Sequence, residues 1–304
     1  MGDYIVKAMA ADGQIRAYAA TTRLLTELAR WRHTTSPVAT AALGRSLTAA
    51  AMMGSMLKSD DERLTIRING NGPMRGLVVC ADNKANVKGY TFVPDVMLPA
   101  TDKGKLDVAG ALGIGTLSVT RDIGMGEPFT GTCILITSEI AEDLTYYFAT
   151  SEQTPAAEAL GVLMNKNNTV KAAGGFIIQL MPGVSDETIA ALEERINGID
   201  SISRMLDAGL TPEGILEQLL GDMGLTFMDQ VPCQFKCDCS HDRMLETIAG
   251  LNEGDLQEWI DKGQDTEVIC EYCNGGYIFP AKELKAAIEK RKAEAAAAED
   301  APLN

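Results

Sequence analysis

The stretches CQFKCDCS, Cys233–Ser240, and CEYC, Cys270–Cys273, hold five of the seven cysteines in the chain. Cys237-x-Cys239 and Cys270-x-x-Cys273 are two tight thiol pairs with 30 residues between them. A tetrahedral zinc ion needs four such ligands, and a local pair is cheap to assemble because a single turn nearly preforms it. The other reading is a set of free thiols or a metal-free redox dithiol. Residues 233–304 number only 72. At that size apolar burial rarely suffices, and a structural metal commonly makes up the deficit. The expected ligands are Cys237, Cys239, Cys270 and Cys273, with Zn²⁺ as the cofactor. His241 is a weaker candidate ligand. Cys233 is a spare thiol, a packing residue or an alternative ligand. Four cysteines leave no open coordination position, so the site reads as structural and not as catalytic zinc. Zinc keeps thiols deprotonated, and the thiolate is the oxidisable form. Oxidation to disulfides would therefore remove the ligands, and each pair can close locally.

Outside that cluster the chain reads as an ordinary folded protein. It has 304 residues, 46% hydrophobic and 23% charged, which suggests about two domains. No apolar run approaches a membrane span of about 20 residues, and MGDYIVKAMA lacks the pattern of a secretory leader. A cytoplasmic, reducing compartment is expected, where clustered cysteines mean metal or redox chemistry sooner than a disulfide framework. The net charge is −15. Residues 1–181 carry 17 basic and 17 acidic side chains, 182–232 carry 2 and 10, and 233–304 carry 8 and 15. The whole excess lies after residue 181, which marks a domain boundary there. Such a surface repels phosphate backbones, so neither nucleic acid nor a membrane is expected as a partner.

Residues 1–181 read as an α+β domain. Asp12-Gly13 is a hairpin turn between DYIVKAMA and QIRAYAAT. Helical spacing covers Thr22–Arg32 and Pro37–Leu57, the second opened by Ser36 as N-cap and Pro37 at N1. Short strands follow: RLTIRING, MRGLVVCAD, NVKGYTFV, GTLSVTRDIG and TGTCILITS. The first two and last two form a weak internal repeat. Helical pattern returns in EIAEDLTYYFATSEQ and PAAEALGVLM, and GGFIIQLMPG closes the domain as a buried strand. Residues 182–232 read as an acidic helical linker. Ile189, Leu192, Ile196 and Ile199 make one apolar stripe, and such narrow stripes must lie on something. Residues 233–304 read as a small zinc-binding domain: a helix capped by Ser240, a second helix supplying Trp259, a hairpin holding the CxxC, and a charged helix that frays into a tail.

Three weaker signals take bland readings. GNGPMRG is a turn and not a nucleotide loop, because Pro73 removes an N–H. Met52, Met53 and Met56 pack a core. Glu142-Asp143 has nothing converging on it. No nucleophile–base arrangement is found, so no enzyme activity is expected.

The chain resembles the heat-shock protein 33 family of redox-regulated chaperones. The residues that carry the resemblance are Cys237-Asp-Cys239-Ser240, Cys270-Glu-Tyr-Cys273, IAEDLTYYFATSEQTPAA and AAGGFIIQLMPG, and it spans nearly the whole chain. Cys233 is extra to the family's four-cysteine pattern, and His241 and Ala156 depart from the residues expected there. The resemblance implies an ATP-independent holdase, inactive while zinc sits on the four reduced cysteines. It implies disulfides Cys237–Cys239 and Cys270–Cys273 on oxidation, with loss of zinc and unfolding of the linker and the C-terminal domain. Unfolding client proteins then bind, typically to a homodimer, and the stripe Ile189, Leu192, Ile196 and Ile199 is a candidate for client binding. The competing readings are a zinc-stabilised interaction module that never switches and a dithiol oxidoreductase, though ICEYCNGGY lacks the strand-to-helix setting of the latter.

Overall fold

The computed structural model describes residues 2–251, 253–261 and 263–299. In chain order the elements are β1 (Tyr4–Ala10), β2 (Ile15–Thr21), α1 (Arg23–His33), α2 (Pro37–Gly54), β3 (Arg63–Gly70), β4 (Gly76–Asp82) and β5 (Asn86–Thr91). Next come α3 (Val108–Leu112), β6 (Gly115–Asp122), β7 (Phe129–Ile134), α4 (Ala141–Thr150), β8 (Ala156–Met164) and β9 (Val170–Leu180). Three helices follow, α5 (Asp186–Gly198), α6 (Ile202–Asp207) and α7 (Pro212–Leu220), then β10 (Thr226–Pro232) and β11 (Gln234–Phe235). The chain ends in α8 (His241–Ala249), α9 (Glu253–Asp261), β12 (Thr266–Cys270), β13 (Gly275–Phe279) and α10 (Ala281–Glu299). The fold is α+β, and it divides into two compact units, Met1–Lys236 and Cys237–Asn304.

The first unit holds two sheets, ordered β10-β1-β2-β9-β8 and β11-β5-β4-β3-β6-β7. Every pair is antiparallel except β11 on β5. Helix α2 touches strands of both, and 16 of its 18 residues are buried. A helix apolar all round belongs in such a place. Its small side chains let neighbours close in: a Cβ on Gly44 would lie 2.5 Å from Thr26 Cγ2. Its start follows the sequence signal, with Ser36 Oγ accepting from the Ala39 N–H at 3.3 Å and Pro37 at N1. Met52 and Met53 are core residues, as expected. The β3–β4 and β6–β7 hairpins of the suspected repeat meet through the β3–β6 pair.

Two elements differ from the sequence reading. PAAEALGVLM has helical propensity but forms β8, paired with β9 from Ala156↔Gln179 to Met164↔Val170. Strand β9 is buried almost throughout, and its outward N–H and C=O groups would be orphaned without a partner strand. That tertiary demand overrides a modest local preference. The segment 182–232 is also not helical to its end. After a left-handed turn at Gly224, φ 67°, β10 pairs antiparallel with β1, from Tyr4↔Pro232 to Met9↔Thr226.

The helices before β10 lie on the first sheet. Leu192, Ile202, Met205, Ile215, Leu216, Leu219 and Leu220 are buried in one cluster with Tyr4, Val6, Ile15, Phe176 and Ile178. The Tyr4 hydroxyl donates to Glu213 at 2.9 Å, fixing α7 to β1. Residues 233–236 belong to the first unit. The Cys233 N–H donates to the Asp3 carbonyl and the Lys236 N–H to the Val87 carbonyl, so the second unit begins at Cys237 and not at 233.

The second unit is three helices around the β12–β13 hairpin. Its core is Ile248, Leu256, Phe279 and Leu284, with Trp259 and Tyr277 packed against it. The helix capped by Ser240 begins where expected, its Oγ accepting from the Arg243 N–H at 3.2 Å. The expected fraying tail beyond residue 299 lies outside the described residues.

Candidate metal centre

Two local devices aim the four thiols at one point. Cys237 and Cys239 sit in the extended segment just before α8. Arg243, in the first turn of that helix, donates to the Asp238 carbonyl at 3.0 Å and ion-pairs with the Asp238 carboxylate. This clamps the residue between the two cysteines. Cys270 ends β12 and Cys273 lies in the hairpin turn. The Cys270 carbonyl accepts from Cys273 N at 3.3 Å and from Asn274 N at 2.7 Å. Asn274 takes the left-handed conformation, φ 55°, which asparagine tolerates better than most residues.

The sulfurs of Cys237, Cys239, Cys270 and Cys273 all lie within 4.8 Å of one another. Cys237 approaches Cys270 at 3.9 Å and Cys239 approaches Cys273 at 3.4 Å. A tetrahedral ion with metal–sulfur bonds of about 2.3 Å needs sulfur–sulfur edges of about 3.8 Å. The donor set and its spacing therefore fit zinc. Burial pushes the Cys237 thiol well up and the Cys273 thiol up to about 11. At Cys239 burial works the same way, but hydrogen bonds from Tyr277 and the neighbouring thiols outweigh it and lower the value. Burial thus favours the thiol form at Cys237 and Cys273, and a bound cation would hold the donor set as thiolates.

The other cysteines are elsewhere. Cys233 is 5% exposed, and its thiol points to the Thr21 carbonyl at 3.8 Å. Burial and then the Asp3 carboxylate push its value far up. Its role in the structure is packing. Cys80 faces the Thr65 hydroxyl at 3.3 Å on β4. Cys133 is buried on β7. The His241 ring stacks on Phe279 with centroids 4.5 Å apart, and it is not part of the sulfur cluster. Replacing Cys233 with serine is accordingly expected to leave zinc near one ion per chain, and metal analysis of the purified variant checks it. Loss of zinc would put Cys233 among the ligands.

The apolar stripe of α5 is turned inward. Leu192 is buried, and Ile196 and Ile199 pack against the same cluster, Ile199 just past the end of the helix. Ile189 is half-buried and lines a groove of about 590 Å³ with Leu192, Ile196, Ile178 and Leu180. Sequence reading missed Arg243 and Tyr277. Neither carries a spacing signal, because their relation to the thiols comes from the turn into α8 and the register of the hairpin.

The chain matches the family model described as "Hsp33 protein" over residues 3–280. It is 54% identical over 285 residues to the 33 kDa chaperonin of Lachnoclostridium phytofermentans, covering 94% of this chain and 98% of that protein. It is 46% identical over 288 residues to the 33 kDa chaperonin of Staphylococcus aureus, covering 94% and 98%. The crystal structure of the 33 kDa chaperonin (heat shock protein 33 homolog) of Thermotoga maritima superposes with a TM-score of 0.90 at 36% identity, covering 96% of this chain and 100% of that one. These relatives are chaperonins and not an enzyme class. With a four-thiol cluster on a two-unit α+β fold and similarity along nearly its full length, the chain belongs to the Hsp33 family.

Proposed function

We propose that the protein is a redox-regulated, ATP-independent holdase of the cytoplasm that captures unfolding proteins under oxidative stress. One observation carries the reading. Four oxidisable sulfurs lie within 4.8 Å of one another in a unit whose core cluster has, among the described residues, just Ile248, Leu256, Phe279 and Leu284 as buried members. Zinc, when bound, holds these sulfurs as thiolates and ties the two ends of the unit together. Oxidation closes Cys237–Cys239 and Cys270–Cys273 and so removes the donor set. The unit then loses its main tie and unfolds. On this reading residues 1–181 are the chaperone core, 182–232 a metastable lid and the second unit, from Cys237 on, the sensor.

The lid reading draws support from the packing of α5, α6 and α7. They bury narrow apolar stripes on the first sheet, while the segment carries 10 acids and 2 bases. Charge repulsion and chain entropy of about 1–2 kcal/mol per residue favour its release. Release would uncover Val6, Ile15, Phe176 and Ile178 together with the stripe Ile189, Leu192, Ile196 and Ile199. Apolar surface of this kind binds non-native chains without sequence preference. The clients are unfolded or aggregating proteins, and the active form is a homodimer. Nucleic acid is disfavoured by the net charge of −15, and no described helix is long and apolar enough to cross a membrane.

The test is aggregation of a heat-denatured client with and without hydrogen peroxide, read alongside zinc release, hydrogen exchange over 182–232 and peptide mapping. Peroxide is expected to release about one zinc per chain, deprotect the segment and suppress aggregation. Equal holdase activity with and without peroxide would favour a zinc-stabilised interaction module that never switches. Activity with the segment still protected would sink the lid. Because Cys237 meets Cys270 at 3.9 Å and Cys239 meets Cys273 at 3.4 Å, across the motifs, mapping also decides the pairing.

A further inference from the structure

A cavity of about 550 Å³ lies in the first unit, bounded by β8, α2, the start of α4, the 101–105 turn and the start of α6. Glu158 and Arg45 both line it. The two Glu158 carboxylate oxygens and Arg45 Nε are shielded from solvent, and among the described residues they have no hydrogen-bond partner. Arg45 Nη1, by contrast, is taken by the Glu139 carboxylate at 2.6 Å and the Glu139 carbonyl at 3.1 Å. The cavity thus presents acceptors without a donor and a donor without an acceptor. Buried polar groups are nearly always paired, so such a set facing a cavity calls for an occupant. Lys103, Lys105, Asp102 and Glu142 line the same cavity as exposed side chains, and Leu160 and Ile202 add apolar wall. A purely cationic ligand would meet Arg45 and the two lysines as like charges. A purely anionic one would meet Glu158, Asp102 and Glu142. A molecule that carries both charges finds a partner for each.

We propose that this cavity binds a small zwitterion with an apolar body, of the class of a free α-amino acid, whose ammonium pairs with Glu158 and whose carboxylate accepts from Arg45 Nε and a lysine of the 101–105 turn. The site uses no cysteine and stands apart from the holdase reading. Its volume falls in the range of small-molecule pockets, about 300–1,000 Å³. Hydrogen bonds between charged partners in a shielded place are the strong ones, and they fix the ligand's orientation. Leu160 and Ile202 then favour an aliphatic side chain over a polar one. Binding is linked to a proton. Burial keeps the Glu158 carboxyl protonated beyond the ordinary carboxylate range, whereas an ammonium pairs with the ionised form. The ligand therefore expels a proton as it binds. Affinity rises with pH from the ordinary carboxylate range up to the raised folded value and levels off above it, by up to about tenfold per pH unit for one proton.

The probe is radiolabelled L-leucine in equilibrium dialysis against the zinc-loaded full chain. A single saturable site is expected, with a dissociation constant of about millimolar or tighter for so small a molecule. N-acetyl-L-leucine lacks the ammonium and L-leucinamide lacks the carboxylate. Each should compete about tenfold to a hundredfold more weakly, the loss of one hydrogen bond between charged groups. Leucinamide also stands for the N-terminus of a peptide, so that arm separates a free amino acid from a chain end. Glu158→Gln keeps the size of the side chain. It should weaken leucine by a similar factor and abolish the pH dependence. Replacing Lys103 and Lys105 together with alanine touches only exposed side chains, so it keeps the test open if the Glu158 variant misfolds. That double variant should weaken leucine and leave leucinamide unchanged. Uptake of leucine that never saturates would overturn the proposal and leave the cavity to solvent. Equal affinity in Glu158→Gln, or equal competition by N-acetyl-leucine, would overturn it too. Leucinamide binding as tightly as leucine would overturn the zwitterion in favour of a chain end.

Discussion

Replacing Cys270 with serine is expected to abolish stoichiometric zinc and to unfold residues 237–299, leaving residues 1–181 folded. The second unit cannot stand on its apolar burial. Among the described residues, Ile248, Leu256, Phe279 and Leu284 alone are buried in its core cluster. Fully burying a side chain of this kind contributes about 1.5–3 kcal/mol, whereas ordering the backbone costs about 1–2 kcal/mol for every residue. A structural zinc site contributes about 10–16 kcal/mol in apparent terms, more than the whole net stability of many domains. Cys270 is 6% exposed at the end of β12, so serine there also leaves a polar group where a ligand stood. Amide hydrogen exchange over 237–299 with metal analysis checks the result. Cys80→Ser, in the other unit, is the control. A metal-free Cys270→Ser protein that kept its protection would show that the unit does not depend on the thiol cluster.

Replacing Glu158 with leucine is expected to stabilise the first unit at neutral pH. Glu158 lies in β8 opposite Ile177. Both its carboxylate oxygens are shielded from solvent and have no hydrogen-bond partner. Among the described residues no side chain donates to it: Arg45, which lines the same cavity with Lys103 and Lys105, pairs with Glu139 at 2.6 Å. Burial alone holds the Glu158 carboxyl well above its usual range. The raised value fixes the sign. Below the ordinary carboxylate range the group is protonated in both folded and unfolded chains, and ionisation costs the fold nothing. As pH climbs from that range through the raised folded value, the unfolded chain ionises first and the fold loses stability. Leucine removes that loss and the unsatisfied oxygens, worth about 1–3 kcal/mol. For a unit of this size that is a rise of about 2–10 °C in melting temperature at pH 7. Asp3 is also raised by burial, so the telling quantity is the difference between wild type and variant across pH. The gap should widen with rising pH and shrink toward pH 4. A variant no more stable than wild type at pH 7 would mean that Glu158 is satisfied in solution.

The residues legible in the sequence were those whose meaning is local. Asp12-Gly13 announces a hairpin, Ser36-Pro37 starts a buried helix, and the spacing of Cys237, Cys239, Cys270 and Cys273 states a tetrahedral donor set before any coordinates. Each works because two to four neighbouring residues fix the backbone or bring the ligands together. Strand β8 was not legible. Its residues prefer a helix in isolation, and only the open edge of β9 makes them a strand. Strand β10 hides in an acidic stretch for the same reason, since its partner β1 lies more than 200 residues earlier. The site divides the same way. The sequence by itself determined the α+β class, the clustering of the four cysteines, the family and the placement of charge, because those depend on spacing and composition. The tertiary structure alone decided that Cys233 is a packing residue beneath Asp3, that Tyr277 donates to Cys239, and that Glu158 is stranded without a partner. Those depend on which distant strands pair and in what register, and burial and hydrogen bonding follow from that pairing.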